Sequence, residues 1–342
     1  MIDKVVGQSG KLLSGRVILV GVLPSAMLVG ITAFLVAAGL PGRPPQFGRA
    51  IGVFAHLPAV AVAGLVGATV IGAMLTEPLT LAITQVFEGY WGTRGIVGSL
   101  RRKRTRHHQK RWDALLQAVT PPPDADESWG DRAEVHGALF ELYNLFPSRE
   151  SILSTRLGNV LRSAEERPHK RYGLDAVAFW PRLYPLLPER LTAIIDDARD
   201  QMDFALRIVT ACLVTASLNL LLIAAQAGYF VDSSRAGHLL PLLWLLVPAG
   251  ALLVAWLAYR GSVYAALQFG MGVQAAYDLH RFDLLEALHW KVPGNMDEEK
   301  GSNRLLSTFL LQDLAPGLNY HHPEKRSPAP ATEPDGCARS PR

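Results

Sequence analysis

The 342-residue chain has few charges where they matter most. Four stretches contain no Asp, Glu, Lys or Arg: Val17–Gly42, Ala50–Thr76, Ile208–Val231 and Ala236–Tyr259, of 26, 27, 24 and 24 residues. A helix needs about 20 apolar residues to cross the hydrocarbon core of a bilayer. These gaps exclude a simple soluble globular protein and a fully disordered chain. The chain has only two cysteines, Cys212 in an apolar run and Cys337 in a Pro-rich tail. That excludes a disulfide scaffold, and the absence of any CxxC removes the usual metal and redox motif. No GxSxG, GxxxxGK[ST] or GxGxxG occurs, so no sequence signature speaks for nucleophilic, phosphate-loop or dinucleotide chemistry. No motif calls for a cofactor.

What is present is a topology. The first apolar run follows Lys4, Lys11 and Arg16, and Val36–Ala38 looks like a small-residue cleavage site. Signal-peptide cores run to only about 7–15 residues, so the run reads as an uncleaved first span. The positive-inside rule orients the rest. The connection Leu40–Leu57 holds only Arg43 and Arg49, and Phe230–His238 only Arg235. Arg101–Arg111 holds seven Lys/Arg and no acid. The expected fold class is therefore an all-α integral membrane protein with four transmembrane helices in two hairpins, both termini cytoplasmic. Its parts are a cytoplasmic N-terminus (1–16) and a first hairpin (17–87) with spans at about 17–40 and 58–77 and an interfacial segment. A cytoplasmic helical insert follows (88–203), then a second hairpin (204–260) with spans at about 206–230 and 238–259. A helical extension (261–320) and a disordered tail (321–342) complete the chain. The tail carries five prolines from His321 onward, a composition that cannot bury a core.

Two placements stay open. Pro78–Phe87 is uncharged, and Tyr90 and Trp91 are candidates for an aromatic belt. That would put Glu77 near mid-membrane, where a carboxylate is costly and functional; the plainer alternative ends the span at Glu77 and lays the next segment on the surface. Asn219 is a second candidate intramembrane polar site. Gly261–Tyr277 is also uncharged but short and polar for a span.

The insert balances 18 Lys/Arg against 17 Asp/Glu. Pro121–Pro123 and the acidic run Asp124–Glu127 read as a loop. Arg132–Phe146 has helical spacing with Val135, Leu139, Leu142 and Tyr143 on one side. Ser154 or Thr155 caps a helix that Pro168 is expected to end. From Pro188 onward, Leu191, Ile194, Ile195, Ala198, Met202 and Ala205 form an apolar stripe that enters the third span without a breaker. The fourth span likewise continues past Arg260 through Leu267, Gly270, Gln274 and Tyr277. Two long helices packed as a stalk are expected. Ala26 and Gly30, and Gly64, Ala68 and Gly72, place small residues four apart, a spacing that lets helices approach closely in lipid; they serve packing within the chain or a homo-oligomer seam.

Arg101, Arg102, Lys103, Arg104, Arg106, Lys110 and Arg111 are the candidate lipid-contact residues, since cations beside a span attract anionic headgroups at about 1 kcal/mol each. Nucleic-acid binding would require aromatic or motif context that is missing. Glu286-x-x-His289 has the spacing of half a di-iron site, but no second ExxH exists, so no metal site is expected. The segment Thr155–Pro188 interleaves Arg, Tyr, Phe, Trp and Pro and reads either as helical core with charge pairs or as an interfacial segment. Its wording, TRLGNVLRSAE followed by RYGLDAVAFWPRLYPLLP, resembles an uncharacterised family of bacterial multi-pass membrane proteins. The likeness extends through EGYWG at 88–92 and YDLHRFDLL at 277–285 and covers about two thirds of the chain. It implies a bacterial plasma membrane and a multi-pass topology, and no catalytic activity. The expected role is a non-catalytic, membrane-anchored scaffold or signalling module acting on a cytoplasmic protein partner. The alternative is a subunit of an oligomeric channel or transporter.

Overall fold

The computed structural model describes residues 22–39, 46–76, 78–122, 129–230 and 244–312. The expected N-terminus, acidic loop and Pro-rich tail lie outside the described residues, and so does Glu77. The described residues are helical throughout, with no strand. In chain order the helices are α1 (Leu23–Ala37), α2 (Phe47–Ala55), α3 (Ala59–Thr76), α4 (Thr80–Glu88), α5 (Gly95–Val119) and α6 (Ala133–Leu145). Then come α7 (Arg156–Tyr172), α8 (Ala176–Leu183), α9 (Glu189–Phe230), α10 (Leu246–Ala287) and α11 (Met296–Gln312).

The frame is the pair α9 and α10, each an unbroken helix of 42 residues. The expected stripe does enter the apolar half without interruption, because no proline or glycine falls inside α9 until Gly228. The two helices run antiparallel. Trp244 clusters with Leu222 and Ile223, Ala255 with Ile208, Val209 and Cys212, Ala265 and Ala266 with Met202 and Leu206, and Val273 and Ala276 with Ile195. Every step down one helix is a step up the other.

These two helices are long and apolar enough to cross a membrane. A third candidate is the pair α2 and α3, which bends by 102° at the break before Ala59. Pro58 explains the break, since it lacks an N–H and restricts the residue before it. Helix α1 is apolar but has only 15 residues, short for the roughly 20 a span requires. The chain therefore has two or three candidate spans among the described residues, and the four expected are borne out only to that extent. Near this end Ser25 of α1 lies 3.5 Å from where a Cβ on Gly72 would sit. So the α3 small-residue stripe packs within the chain at Gly72, while a Cβ on Gly64 would meet nothing.

At the other end of the pair lies the helical body. Its largest core gathers Leu174, Phe179 and Leu183 with Ile195, Tyr277, Leu284, Leu285 and Leu306. Each such side chain contributes roughly 1.5–3 kcal/mol on burial. The Thr155–Pro188 segment is thus core: Leu157, Leu174, Phe179 and Leu183 are fully buried. Two local expectations are corrected. Helix α7 does not stop at Pro168 but runs on to Tyr172, ending where Gly173 adopts a left-handed φ of 76°. Pro168 is itself buried, and packing on that side outweighs the lost backbone bond. On α6 the buried face is Val135 and Ala138, with Leu142 partly buried against the same cluster. Leu139 and Tyr143 point outward, and Tyr143 carries the buried Arg167 guanidinium 4.8 Å above its ring.

Candidate functional site

Two residues with little side chain fix where α4 meets α7. Gly89 ends α4 with a φ of 94°, a conformation open to glycine at low cost. Its carbonyl accepts a hydrogen bond from Ser154 Oγ at 3.1 Å, and a Cβ on it would sit 2.5 Å from that oxygen. Thr155 caps α7 by accepting from the Gly158 N–H at 3.1 Å, as expected from its place before an apolar run. A Cβ on Gly158 would collide with the Glu88 carbonyl. The segments EGYWG and TRLGN are therefore in direct backbone contact. Tyr259 of α10 closes the joint by accepting from the Leu157 N–H at 3.4 Å and by packing its ring against Phe87.

This joint holds open a cleft of about 610 Å³, walled by α4, α7, α8, α9 and α10. Its walls are mainly apolar: Pro78 and Leu81 near the start of α4, Leu161 and Ala164 from α7, Val177 and Trp180 from α8, and Met202, Phe269 and Val273 from the long pair. Trp180 is braced by Tyr184 and Tyr277, at ring separations of 5.6 and 6.3 Å. Three carboxylates from three different helices converge on it: Glu88, Glu165 and Asp203, with the single guanidinium of Arg199. Glu165 also receives Arg162 at 3.1 Å. Burial, then the neighbouring Glu165 and Asp203, pushes the Glu88 carboxyl up to about 7. Glu88 can therefore take up and release a proton near neutrality. Glu165 belongs to the distinctive Thr155–Pro188 segment and Glu88 to EGYWG, but nothing in the spacing of the three acids signals that they meet.

The basic cluster lies elsewhere, on α5. Helix α5 begins with exposed Ile96, Val97 and Leu100, Ile96 at 88%, and continues into exposed Arg102, Lys103, Arg104, Arg106 and Lys110. Residues 96, 100, 103 and 104 share one face by helical spacing. Arg101 and Arg102 donate to the carbonyls of Trp91 and Thr93 at 3.2 and 3.3 Å. Arg111 turns to Glu141 in a bidentate pair at 2.7 and 3.1 Å. The seven candidate residues therefore split into an outward set and three that also hold the helix in place. His108, on the opposite face, is buried beside Phe146. Burial, then neighbouring His107, Arg104 and Arg156, lowers it to about 4.

Asn219 is 1% exposed on α9, and neither side-chain amide atom has a hydrogen-bond partner among the described residues. Arg260, just past the apolar half of α10, lies 4.9 Å over the Trp256 ring. Among the described residues no group of three or more His, Cys, Asp or Glu is placed to hold a metal ion. Glu286 and His289 sit at the end of α10, where His289 has a positive φ of 53°. No family model, curated protein or solved structure matches the chain.

Proposed function

We propose that this chain is a membrane-anchored, non-catalytic binding and signalling module, four-span with both termini cytoplasmic, in a bacterial plasma membrane. The observation that carries the reading is the continuity of α9 and α10. Each passes without a break from an apolar half into the packed body, so the two halves cannot move independently. The cleft lies where the body meets the apolar halves. In this reading α5 rests on anionic headgroups, the body offers its surface to a cytoplasmic protein, and the exposed apolar side of α3, including Val60, Met74 and Leu75, faces lipid or a second copy.

The second reading, a channel or transporter subunit, draws on Asn219. An amide without partners in an apolar helix is expensive, and polar groups at membrane depth mark substrate paths. A flux assay separates the two. Full-length protein in liposomes should carry no more Na⁺, K⁺ or H⁺ than empty liposomes at any pH from 5 to 8. A flux that Glu77→Gln or Asn219→Leu abolishes would replace the module with a transporter.

A further inference from the structure

We infer that the pocket between α6, the start of α7 and α10 holds the phosphate of an anionic phospholipid. The site rests on the membrane placement proposed above, but on neither the orientation nor the signalling role. The charges decide the sign of the ligand. The pocket encloses about 130 Å³, and Arg156, Arg260, Tyr259, Tyr264, Phe140 and Leu267 line it with no carboxylate. Other guanidiniums of the body are neutralised: Arg111 by Glu141, Arg149 by Asp113, Arg171 by Asp278 and Arg281 by Glu299. Arg156 and Arg260 enter no ion pair among the described residues. Glu141 shares a smaller neighbouring pocket with Arg156, but the bidentate pair with Arg111 at 2.7 and 3.1 Å takes it up. Arg104 and Arg156 both act against a charge on His108, so α5 adds to the same positive field. Two like charges on one small pocket repel, and an anion between them removes that cost.

The surroundings say where the anion comes from. Arg260 stands where the apolar surface of α10 ends. Leu246, Leu253 and Leu257 share its face by helical spacing, and all three are exposed. Exposed Trp256 and Tyr264 flank it one turn to either side, and such residues favour the headgroup level of a bilayer. Acyl chains laid along the leucines would bring a phosphate to the two arginines. A guanidinium meets phosphate with paired N–H donors. Tyr259 accepts from the Leu157 N–H at 3.4 Å, which leaves its own O–H to donate. The pocket has the liquid volume of about four waters, a fit for one phosphate and too small for a nucleotide. Basic pockets beside membrane spans take lipid headgroups in this way. The outward cations of α5 differ, since they spread along a helix face and sense the surface charge as a whole.

The test reconstitutes the full chain in nanodiscs that mix dioleoylphosphatidylglycerol with excess dioleoylphosphatidylcholine. Lipids retained after transfer to dodecylmaltoside are counted by native mass spectrometry. Wild type should keep one phosphatidylglycerol, enriched roughly tenfold over its share of the mixture, as two cations near the surface predict. Arg156→Gln with Arg260→Gln should return it to that share and melt like wild type, because both side chains are exposed. Neutralising Arg102, Lys103 and Arg106 to Gln should leave the enrichment in place. No enrichment, enrichment unchanged in the Arg156 and Arg260 variant, or enrichment lost equally in the α5 variant would overturn the site. A second arm assigns the source by thermal melts in detergent. Phosphatidylglycerol should raise the melting temperature of wild type and not of the Arg156 and Arg260 variant, and inorganic phosphate should raise neither. Equal stabilisation of wild type by inorganic phosphate would assign a soluble phosphate and overturn the lipid. A chain that does not enter nanodiscs at all would overturn the membrane placement together with the site, whereas entry without enrichment would overturn the site alone. A failed flux prediction would leave these readouts untouched.

Discussion

Glu88 places an ionisable group where the fold disfavours its charge. Around it stand Glu165 and Arg162 from α7, Asp203 and Arg199 from α9, and Tyr90 just beyond α4. The carboxyl rises from 4.5 to about 7 on folding, so the folded protein holds that proton more tightly than the unfolded chain. Its contribution to stability is complete below pH 4.5 and is lost as pH rises through about 7. Glu88→Gln removes the penalty. The variant should match wild type near pH 4.5 and exceed it at pH 8 by about 1–2 kcal/mol, after allowance for water at the open cleft mouth. Thermal melts of the pair across that range measure it, and the other titrating groups cancel in the difference because both proteins keep them. A pH-independent difference would show that Glu88 ionises freely. His108 works in the opposite sense, since its folded value near 4 means that stability falls as pH drops from 6.5 toward 4. Neither effect is visible in the sequence, where Glu88 is one residue of EGYWG and His108 one of a basic run.

At the scale of the element, α5 is the piece whose role depends on what lies beside it. Its apolar tip and outward cations suit the boundary between headgroups and hydrocarbon. A spin label on a cysteine at Ile96, in full-length protein in nanodiscs, should sink deeper when the lipid is anionic. Neutralising Arg101, Arg102, Lys103 and Arg104 to Gln should remove that dependence, most clearly at low salt, because exposed charges are screened beyond about 8 Å at physiological ionic strength. Equal depth in both lipids would restrict the cluster to setting topology. Elements of this kind were the most legible part of the sequence. The unbroken stripe from Leu191 to Ala205 does become α9, and Thr155 does cap α7. Boundaries and faces were less so. Pro168 failed to stop α7, and Leu139 and Tyr143 turned away from the core, because tertiary burial outweighed local propensity and spacing. The cleft was not legible at all, since it depends on Gly89 and Gly158 bringing two distant segments together.

For the whole molecule, the remaining question is which side of a membrane the body occupies. The charge asymmetry around the apolar runs gives one answer, testable on a background with Cys212 and Cys337 replaced. A cysteine at Gln46 should react with a membrane-impermeant maleimide from outside, and one at Asp126 only after the cells are opened. The reverse pattern at either position would reject the orientation. The length of the long pair carries a mechanical corollary. At 1.5 Å per residue each helix extends about 63 Å, roughly twice the hydrocarbon thickness. With the apolar halves held in a bilayer, the pair is a lever pivoted at the headgroups. A bilayer that thins or thickens makes such helices change tilt, and the free arm must swing by the same angle. Its far end carries Tyr277, Leu284 and Leu285 in the largest core of the body, while Met202, Asp203 and Phe269 line the cleft near the pivot. Membrane thickness would then be read out as sideways travel of the body, with the smallest displacement at the cleft and the largest at α11.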